Sequence, residues 1–268
     1  MSQPATNTPA PFNRMTQCRH GLMLYNINDT HVGRSLALYG EWCEGEIEIF
    51  AQILRPGDVA IDVGANIGSH TVAMAQLVNP RGTVIAFEPQ RVVFQTLCAN
   101  VANNSLANVF CYQSAVGEQP GVMVVPPLDP RTPQNFGAFV ISGYEHGEPV
   151  GITRLDDLPI RACRLIKIDV EGMELPVLRG AESLIRKCQP ILYVENNRPG
   201  QSADLIRFIH LLGYDLYWHH PRIFNPDNFL KNSENVFGNE IAENMLCWPN
   251  NSHMNITGLK PVQVTSIE

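Results

Sequence analysis

Carboxylates follow several short apolar runs of this sequence, where they could bind a cationic ligand, hold a metal ion or accept a proton. Asp169 and Glu171 come after the run LIKI, Glu195 comes after ILYV, and Glu88 comes after TVIAF. A carboxylate placed beside a hydroxyl group can remove its proton as a general base. We therefore take Asp169, Glu171 and Glu195 as candidate catalytic residues.

Three roles stay open for the acids that follow LIKI and ILYV. They could act directly on an acceptor hydroxyl, or they could form internal ion pairs with Lys167 or Arg164. The third role is a divalent metal site, since an acid after one strand and the pair Glu195-Asn196 after the next offer the oxygen ligands that suit Mg²⁺. The sequence does not choose between these roles, so a bound Mg²⁺ stays one alternative.

A glycine-containing turn lies between an apolar run and a helical pattern. It reads D-x-G-x-N-x-G, from Asp62 through Gly64, Asn66 and Gly68, and so departs from the dinucleotide fingerprint G-x-G-x-x-G. Glycines let the backbone approach a ligand at the start of a helix. Asn is also among the residues that tolerate a positive φ.

The charges around this turn favour one kind of nucleoside ligand. Glu88, at the end of the next predicted strand, can accept hydrogen bonds from a ribose diol. Asp62 at the mouth of the turn would repel a pyrophosphate but attract a ligand with an ammonium and a sulfonium group. The turn contains no Lys or Arg. These features favour S-adenosylmethionine (SAM) over a nicotinamide dinucleotide.

The elements that must position these residues alternate between strand and helix. This alternation predicts βαβ units, a doubly wound, Rossmann-like and mostly parallel sheet, and helices on both faces. Ligands of such sheets bind at the carboxyl ends of the strands. The predicted strands are 59–63, 83–87, 109–112, 122–125, 165–168, 191–194, 214–218 and 244–248, and the predicted helices are 41–54, 69–76, 92–103, 176–187 and 204–212.

Composition excludes several classes of protein. Of the 268 residues, 44% are apolar and 17% are charged, which is typical of a globular domain rather than a disordered chain. No apolar run reaches the length of a membrane span. The net charge of −7 argues against binding to nucleic acid or to an anionic membrane surface.

The cysteines and the chain ends complete the expected organisation. The seven cysteines form no C-x-x-C pair, and the start of the chain has no apolar signal region, so we expect a cytoplasmic protein. We expect residues 1–38 to be an arm and lead-in, loose up to about residue 20, residues 39–250 to be the catalytic domain, and residues 251–268 to be a tail. The sequence leaves open whether the chain forms a homodimer.

The Pro/Gly-rich segment 126–151 is unusually long for a connection inside one domain. Connections of this length often have a function. The sequence leaves two interpretations open for it, a lid over the substrate or a surface excursion.

Five blocks in order, IDVGANIG, FEP, SAVG, IKIDVEGME and YVENN, resemble the FkbM-type methyltransferases over about residues 39–248. That resemblance implies a class I, SAM-dependent fold and, in most members, O-methyltransfer. It implies cofactor contacts from the glycine loop and the acid that follows the second strand of the sheet. It also implies contacts from the segment before the sheet and from the turn after the third strand. The implied cofactor-binding residues are Tyr39, Glu41, Asp62, Gly64, Asn66, Gly68, Glu88, Ser114 and Ala115. Asp169, at the end of another predicted strand, is a further candidate for contact with the cofactor.

The residues and the resemblance together predict a SAM-dependent O-methyltransferase. The expected acceptor is a hydroxyl group on a sugar, a glycan or a secondary metabolite. Two alternatives stay open, a nicotinamide-dependent oxidoreductase on the same fold and a non-catalytic SAM-binding module, because a fold does not define a function by itself.

Overall fold

The computed structural model of the chain describes residues 11–138, 144–252 and 259–264. Its elements up to the third strand of the main sheet are β1 (Asn13–Cys18), β2 (Gly21–Asn26), α1 (Val32–Tyr39), α2 (Glu44–Ile53), β3 (Val59–Val63), α3 (Ser69–Val78), β4 (Thr83–Phe87), α4 (Arg91–Asn103) and β5 (Val109–Tyr112). They are followed by β6 (Ala115–Val116), β7 (Gly121–Val125), β8 (Glu148–Thr153), a 3₁₀ turn (Leu155–Asp157), β9 (Leu165–Ile168), α5 (Glu174–Arg179), α6 (Glu182–Cys188), β10 (Ile191–Glu195), α7 (Pro199–Leu211), β11 (Tyr214–His219), β12 (Asn244–Pro249) and β13 (Lys260–Pro261).

Eight strands form the main sheet in the order β13-β11-β12-β10-β9-β3-β4-β5. The strands from β5 to β10 pair in parallel, whereas β12 pairs antiparallel with both β10 and β11. Val63 lies opposite both Phe87 and Ile168, and Ile168 lies opposite Val194. The carboxyl ends of four strands therefore meet at one edge, as expected for a doubly wound α/β fold.

The strands at the centre of the sheet are buried on both faces. Ile61, Ile166 and Leu192 face a core that includes side chains of α5, α6 and α7. Ala60 and Leu165 face the opposite core, which includes side chains of α2 and α3. Such strands are continuous apolar runs in sequence, and the predicted bounds 59–63, 83–87 and 165–168 are confirmed. The predicted bounds 109–112 of the edge strand β5 are confirmed as well.

The hairpin of β1 and β2 corrects the expectation of a loose arm for the described residues before position 20. The two strands pair from Asn13 opposite Asn26 to Cys18 opposite Gly21. Met23 packs in one cluster with side chains of α1, α3 and α4. The Asn100 side chain accepts a hydrogen bond from the Leu24 N–H (2.6 Å) and donates one to the Leu24 carbonyl (3.0 Å). The Asn100 side chain thus forms the two backbone hydrogen bonds that a neighbouring strand would otherwise form with Leu24. Local sequence patterns do not reveal such a distant contact.

The predicted helix 176–187 is two helices, α5 and α6. Gly180, which ends α5, lies against the backbone of another segment, since a Cβ there would come within 2.1 Å of the Gly117 carbonyl oxygen. The helix is interrupted where the chain comes close to Gly117. The continuous apolar pattern of the sequence did not predict this interruption.

The segment after β7 is hydrogen-bonded to the loop between β2 and α1. Strands β6, β8 and β7 form a small side sheet. The Thr30 N–H donates to the Gln134 carbonyl and the Gln134 N–H donates to the Asn28 carbonyl, each over 3.0 Å. Residues 139–143 of the expected lid segment lie outside the described residues, as do 253–258 and 265–268 of the expected tail.

No helix within the described ranges combines the length and the apolar composition needed to cross a bilayer.

Candidate active site

The glycine loop connects β3 to α3 through three left-handed residues. Gly64 has φ +82°, Asn66 has φ +50° and Gly68 has φ +90°. The Asn66 side-chain oxygen accepts a hydrogen bond from the Ile67 N–H over 2.7 Å. Asn66 therefore holds the positive-φ position through a local bond, in accordance with the tolerance of Asn for this conformation.

Glu88 is fixed to this loop. One of its oxygens, Oε2, accepts a hydrogen bond from the Asn66 N–H (3.0 Å), and Oε1 accepts one from the Gln90 N–H (2.8 Å). Burial raises the pKa of Glu88 to about 7, although these two hydrogen bonds oppose the shift. Each carboxylate oxygen keeps a lone pair for a further donor, so Glu88 is oriented but can still accept hydrogen bonds from a ligand.

A cavity of about 420 Å³ lies along the carboxyl ends of the strands. Its wall includes Glu88, the glycine loop, the turn after β9 and residues 240–244. Residues 135–138 form part of the same wall, so this part of the 126–151 segment is close to the site rather than a remote excursion. The volume is within the range of small-molecule sites.

The three predicted catalytic acids are brought together in this wall. Glu171 pairs with Arg198 over 2.6 Å, and Asp169 accepts a hydrogen bond from the Lys167 ammonium over 3.2 Å. Glu195 accepts one from the Asn197 side-chain amide over 2.9 Å. Their proximity follows from the parallel register, which aligns the ends of β9 and β10.

Asp62 lies beneath the glycine loop, and the cavity wall formed by the described residues does not include it. Its carboxylate is fully buried, accepts a hydrogen bond from the Thr71 hydroxyl (2.6 Å), and lies 3.5 Å from the Lys167 ammonium. The structure thus corrects the expectation that Asp62 faces a ligand at the mouth of the loop. A buried lysine attracts this carboxylate into the interior.

Tyr39 and Glu41 also lie outside the part of the wall that the described residues form. The Tyr39 hydroxyl donates to the Glu234 carbonyl and accepts from the Val236 N–H. The Glu41 carboxylate binds Arg19 over 2.7 Å and accepts hydrogen bonds from Asn225 and from the Phe229 N–H. The cofactor contacts implied for both residues are not supported, because their polar atoms hold the chain segment 225–236 in place.

The remaining predicted cofactor residues lie close to the cavity. Gly64, Asn66, Glu88 and Asp169 line it, whereas Gly68 caps the start of α3 behind it. Ser114 and Ala115 line a small adjoining recess. The Ser114 hydroxyl is already bonded to backbone carbonyls of Ala115 and Gly151. Within this recess they offer an apolar surface rather than a free hydroxyl.

The residues present do not fit the Mg²⁺ alternative. The Asn196 amide donates to the Ser202 hydroxyl (2.9 Å) and to the Met245 sulfur (3.3 Å), so it faces the interior. The Lys167 ammonium already provides a cation beside Asp169. Within the described ranges, no group of three or more His, Cys, Asp or Glu side chains is arranged to hold a metal ion.

Sequence reasoning did not assign a site role to Glu46 or Asn244, which line the cavity together with His70 and Trp42. Glu46 comes from α2 and Asn244 from β12, and the Asn244 amide donates to Glu46 over 2.9 Å. The two residues are 198 positions apart, so no local signal could have paired them. For His70, its place just after the glycine loop was the available signal.

The buried carboxyl of Glu195 predicts a pH-dependent stability. Burial, followed by the charges of Asp169 and Glu171, raises its pKa well above that of an exposed glutamate. The folded protein therefore favours the protonated form, and this contribution to stability is lost as the pH rises from about 5 to about 9.

We expect Glu195→Gln, which can still accept the hydrogen bond from Asn197, to lose less stability over this range than the wild type. Urea unfolding at several pH values measures the difference, which should exceed about 1 kcal/mol, since a tenfold change in a proton-binding constant corresponds to about 1.4 kcal/mol. Parallel curves for the two proteins would contradict the prediction.

The strand order, the glycine loop after β3 and the fixed acid after β4 define a class I methyltransferase fold. A family model described as "Methyltransferase FkbM domain" matches residues 62–216, more than half of the chain. The chain belongs to the FkbM methyltransferase family. The five sequence blocks that carry the resemblance lie within this range, apart from Ile61, the first residue of the first block.

Two curated relatives match part of the chain. It is 34% identical over 161 residues to "31-O-demethyl-FK506 methyltransferase FkbM" of Streptomyces tacrolimicus. This match covers 48% of this chain and 61% of that protein. It is 27% identical over 145 residues to "Methyltransferase 1" of Beauveria bassiana (strain ARSEF 2860), which covers 46% of this chain and 57% of that protein. The chain thus spans less than two thirds of the length of either relative.

A solved structure with a similar fold is the FkbM methyltransferase of Methylobacillus flagellatus KT. The TM-score is 0.49 at 18% sequence identity, and the match covers 75% of this chain and 50% of that one.

Proposed function

We propose that this protein transfers a methyl group from SAM to a hydroxyl group of a sugar, a glycan or another secondary metabolite. The observation that carries the proposal is Glu88, a buried carboxylate that two backbone amides hold at the glycine loop with a lone pair free on each oxygen. A ribose diol offers the two donors that such a carboxylate can accept.

The charge of the cavity supports SAM over a dinucleotide. Carboxyl groups from three strand ends line the cavity. Those that are ionised attract the sulfonium and ammonium groups of SAM but repel a pyrophosphate, and the protonated Glu195 adds no positive charge. The carboxylate of SAM has a complementary position at the start of α3, where backbone N–H groups are free of helical partners. When bound, SAM supplies an electrophilic methyl group on a good leaving group.

Two observations support a neutral hydroxyl acceptor. One relative carries the name 31-O-demethyl-FK506 methyltransferase, which describes O-methylation of a small molecule. The chain has a net charge of −7 and an acid-lined cavity, both unfavourable to a polyanion such as nucleic acid. Four expectations remain predictions. They are a small-molecule or glycan acceptor, the absence of a nucleic-acid or membrane partner, a cytoplasmic location and a homodimer.

Titration calorimetry with SAM tests the cofactor site. We expect Glu88→Ala to weaken SAM binding by about 10- to 100-fold, because it removes hydrogen bonds to a charged acceptor worth about 1.5–3 kcal/mol. Glu182→Ala is the matched control, since the partner of Glu182 within the described residues is Arg186, one turn away on the exposed side of α6. Equal affinities of wild type and Glu88→Ala would overturn the assigned cofactor pose.

Transfer of a labelled methyl group to a panel of alcohols tests the reaction. The panel contains simple sugars, glycans, alicyclic alcohols and 31-O-demethyl-FK506. We expect at least one product whose methyl ether is lost when SAM is omitted. Tight binding of SAM without transfer to any alcohol would favour a non-catalytic SAM-binding module.

A further inference from the structure

Two side chains that line the cavity, one carboxylate and one imidazole, come from helices and not from the ends of strands. Glu46 on α2 and His70 on α3 both line the cavity, and the Glu46 Oε2 and His70 Nε2 atoms lie 3.3 Å apart. Both side chains are less than a tenth exposed. His70 Nε2 has no hydrogen-bond partner among the described residues, which is costly for a buried polar atom unless a ligand completes the site.

The surroundings of Glu46 hold one oxygen and leave the other free to react. Oε1 accepts hydrogen bonds from the Asn244 amide (2.9 Å) and from the Cys43 thiol (3.4 Å). Oε2 faces His70 and accepts no hydrogen bond within the described part of the chain. The carboxylate is therefore fixed in direction, and its Oε2 lone pairs are available to a hydroxyl proton.

The strand-end acids are less suited to accept a proton. Glu171 is neutralised by Arg198 at 2.6 Å, and Asp169 is bonded to the Lys167 ammonium at 3.2 Å. In each of these carboxylates one oxygen is occupied by a cation, and that ion pair must break before the oxygen can accept a proton. Burial, followed by the charge of Asp169, raises the pKa of Glu171, so its pairing with Arg198 rather than a low basicity is what argues against it. Glu195 is unsuited for another reason, because its raised pKa keeps it protonated near neutral pH.

Glu46 and Glu88 are bonded to different parts of the cavity wall. Glu88 accepts a hydrogen bond from the glycine loop at Asn66, whereas Glu46 accepts one from Asn244, next to residues 240–243 of the wall. If Glu88 holds the ribose and the glycine loop holds the rest of the cofactor, the acceptor must enter from the remaining side.

The apolar side chains of Ile223 and Ile241 belong to the part of the wall that includes Asn244, since the Ile223 N–H donates to the Glu240 carbonyl. Trp42 also lines the cavity. An apolar wall with one carboxylate suits an uncharged alcohol.

Resting on the proposed function, we propose that Glu46 is the general base of the reaction and that His70 is its positioning residue. The acceptor oxygen forms the new O–CH₃ bond as the S–CH₃ bond breaks. The electron pair of that bond goes to sulfur, and the hydroxyl proton goes to Glu46 Oε2. The neutral His70 ring lies against Oε2, with Nε2 at 3.3 Å, and restricts the position of that oxygen by contact rather than by a hydrogen bond.

The protonation of both groups agrees with these roles. Burial raises the pKa of Glu46 to about 7, which places this base near a neutral operating pH. Burial, aided by the charges of Lys167 and His20, lowers the pKa of His70 well below its ordinary value, so the ring is neutral. The titratable groups that face the pair from the neighbouring elements are His20, Cys43, Lys167, Asp169 and Tyr193.

The test compares Glu46→Gln with wild type, using the panel alcohol that the wild type methylates fastest. We expect kcat to fall by about 10²- to 10⁴-fold, the usual contribution of general-base catalysis, while the calorimetric Kd for SAM changes less than twofold. The wild-type kcat should rise with pH to a plateau above pH 7, and this rise should disappear in Glu46→Gln. Glu48→Gln, an exposed position on the same helix, is the matched control and should keep the wild-type profile.

His70→Gln distinguishes positioning from packing. We expect a smaller loss in kcat and a shifted midpoint of the pH profile, because the surroundings of Oε2 change while the base remains. Thermal unfolding of each variant shows whether it is folded. A folded Glu46→Gln variant that retains kcat and its pH profile overturns the assignment, as does loss of that profile in Asp169→Asn alone. Failure of wild type to bind SAM refutes the proposed function itself, and the base assignment with it.

Discussion

Replacing Lys167 with methionine is expected to lower the free energy of unfolding by about 3–5 kcal/mol, the usual cost of removing one partner from a buried ion pair. The Lys167 side chain is 2% exposed, and its ammonium lies 3.2 Å from Asp169 Oδ2 and 3.5 Å from Asp62 Oδ1. Methionine fills a similar volume but leaves the fully buried Asp62 carboxylate with the Thr71 hydroxyl as its remaining partner within the described residues. Urea unfolding at pH 7 measures the change.

The pH dependence gives this prediction a second, independent readout. Burial alone would lower the pKa of Lys167, but the neighbouring carboxylates outweigh it and raise that pKa well above its ordinary value. Deprotonation of Lys167 therefore removes its stabilising contribution only above about pH 10. The deficit of Lys167→Met should shrink in acid, where the unpaired carboxylate can take up a proton. Asp62→Asn in the same background should restore part of the loss. A deficit below about 1 kcal/mol, similar to that of the exposed Lys187→Met, would falsify the buried-pair account.

Substituting Gly64 with alanine should abolish SAM binding and destabilise the fold by about 3 kcal/mol or more, from the sum of backbone strain and overpacking. Gly64 has φ +82°, and a Cβ there would lie 1.8 Å from the Asp169 carbonyl oxygen. The obstacle is backbone at the end of β9, so a side-chain rotation cannot relieve it. Calorimetry with SAM and urea unfolding together measure the effect.

Gly57→Ala separates the two causes. Gly57 also has a positive φ, +100°, but nothing in the described structure lies within 4 Å of its added Cβ. It should therefore show the conformational cost alone, about 1–2 kcal/mol, with SAM affinity unchanged. Equal losses of stability in the Gly64 and Gly57 variants, with SAM binding retained in both, would contradict the prediction. The close approach of the loop to β9 would then be unnecessary for SAM binding.

The sequence by itself determined the central strands and the chemistry of the glycine loop. Strands such as 59–63 and 165–168 are buried on both faces, so their own residues carry a continuous apolar signal with clear ends. The order of the elements then determined that Glu88, Asp169 and Glu195 follow strands of a parallel sheet. Since such strands end at one edge, their proximity required no knowledge of distant contacts.

Only the tertiary structure decided which polar groups face the cavity. Asp62 turns inwards to a lysine on β9, Glu41 binds a segment more than 180 residues away, and Glu46 meets Asn244 from the other end of the chain. The hairpin likewise depends on Asn100, 76 residues from its partner. A local pattern records which side chain a position has and which face of its element it occupies. The partner of a buried charge is set by the packing of distant elements, because that packing alone fixes the desolvation and the hydrogen bonds that determine its orientation.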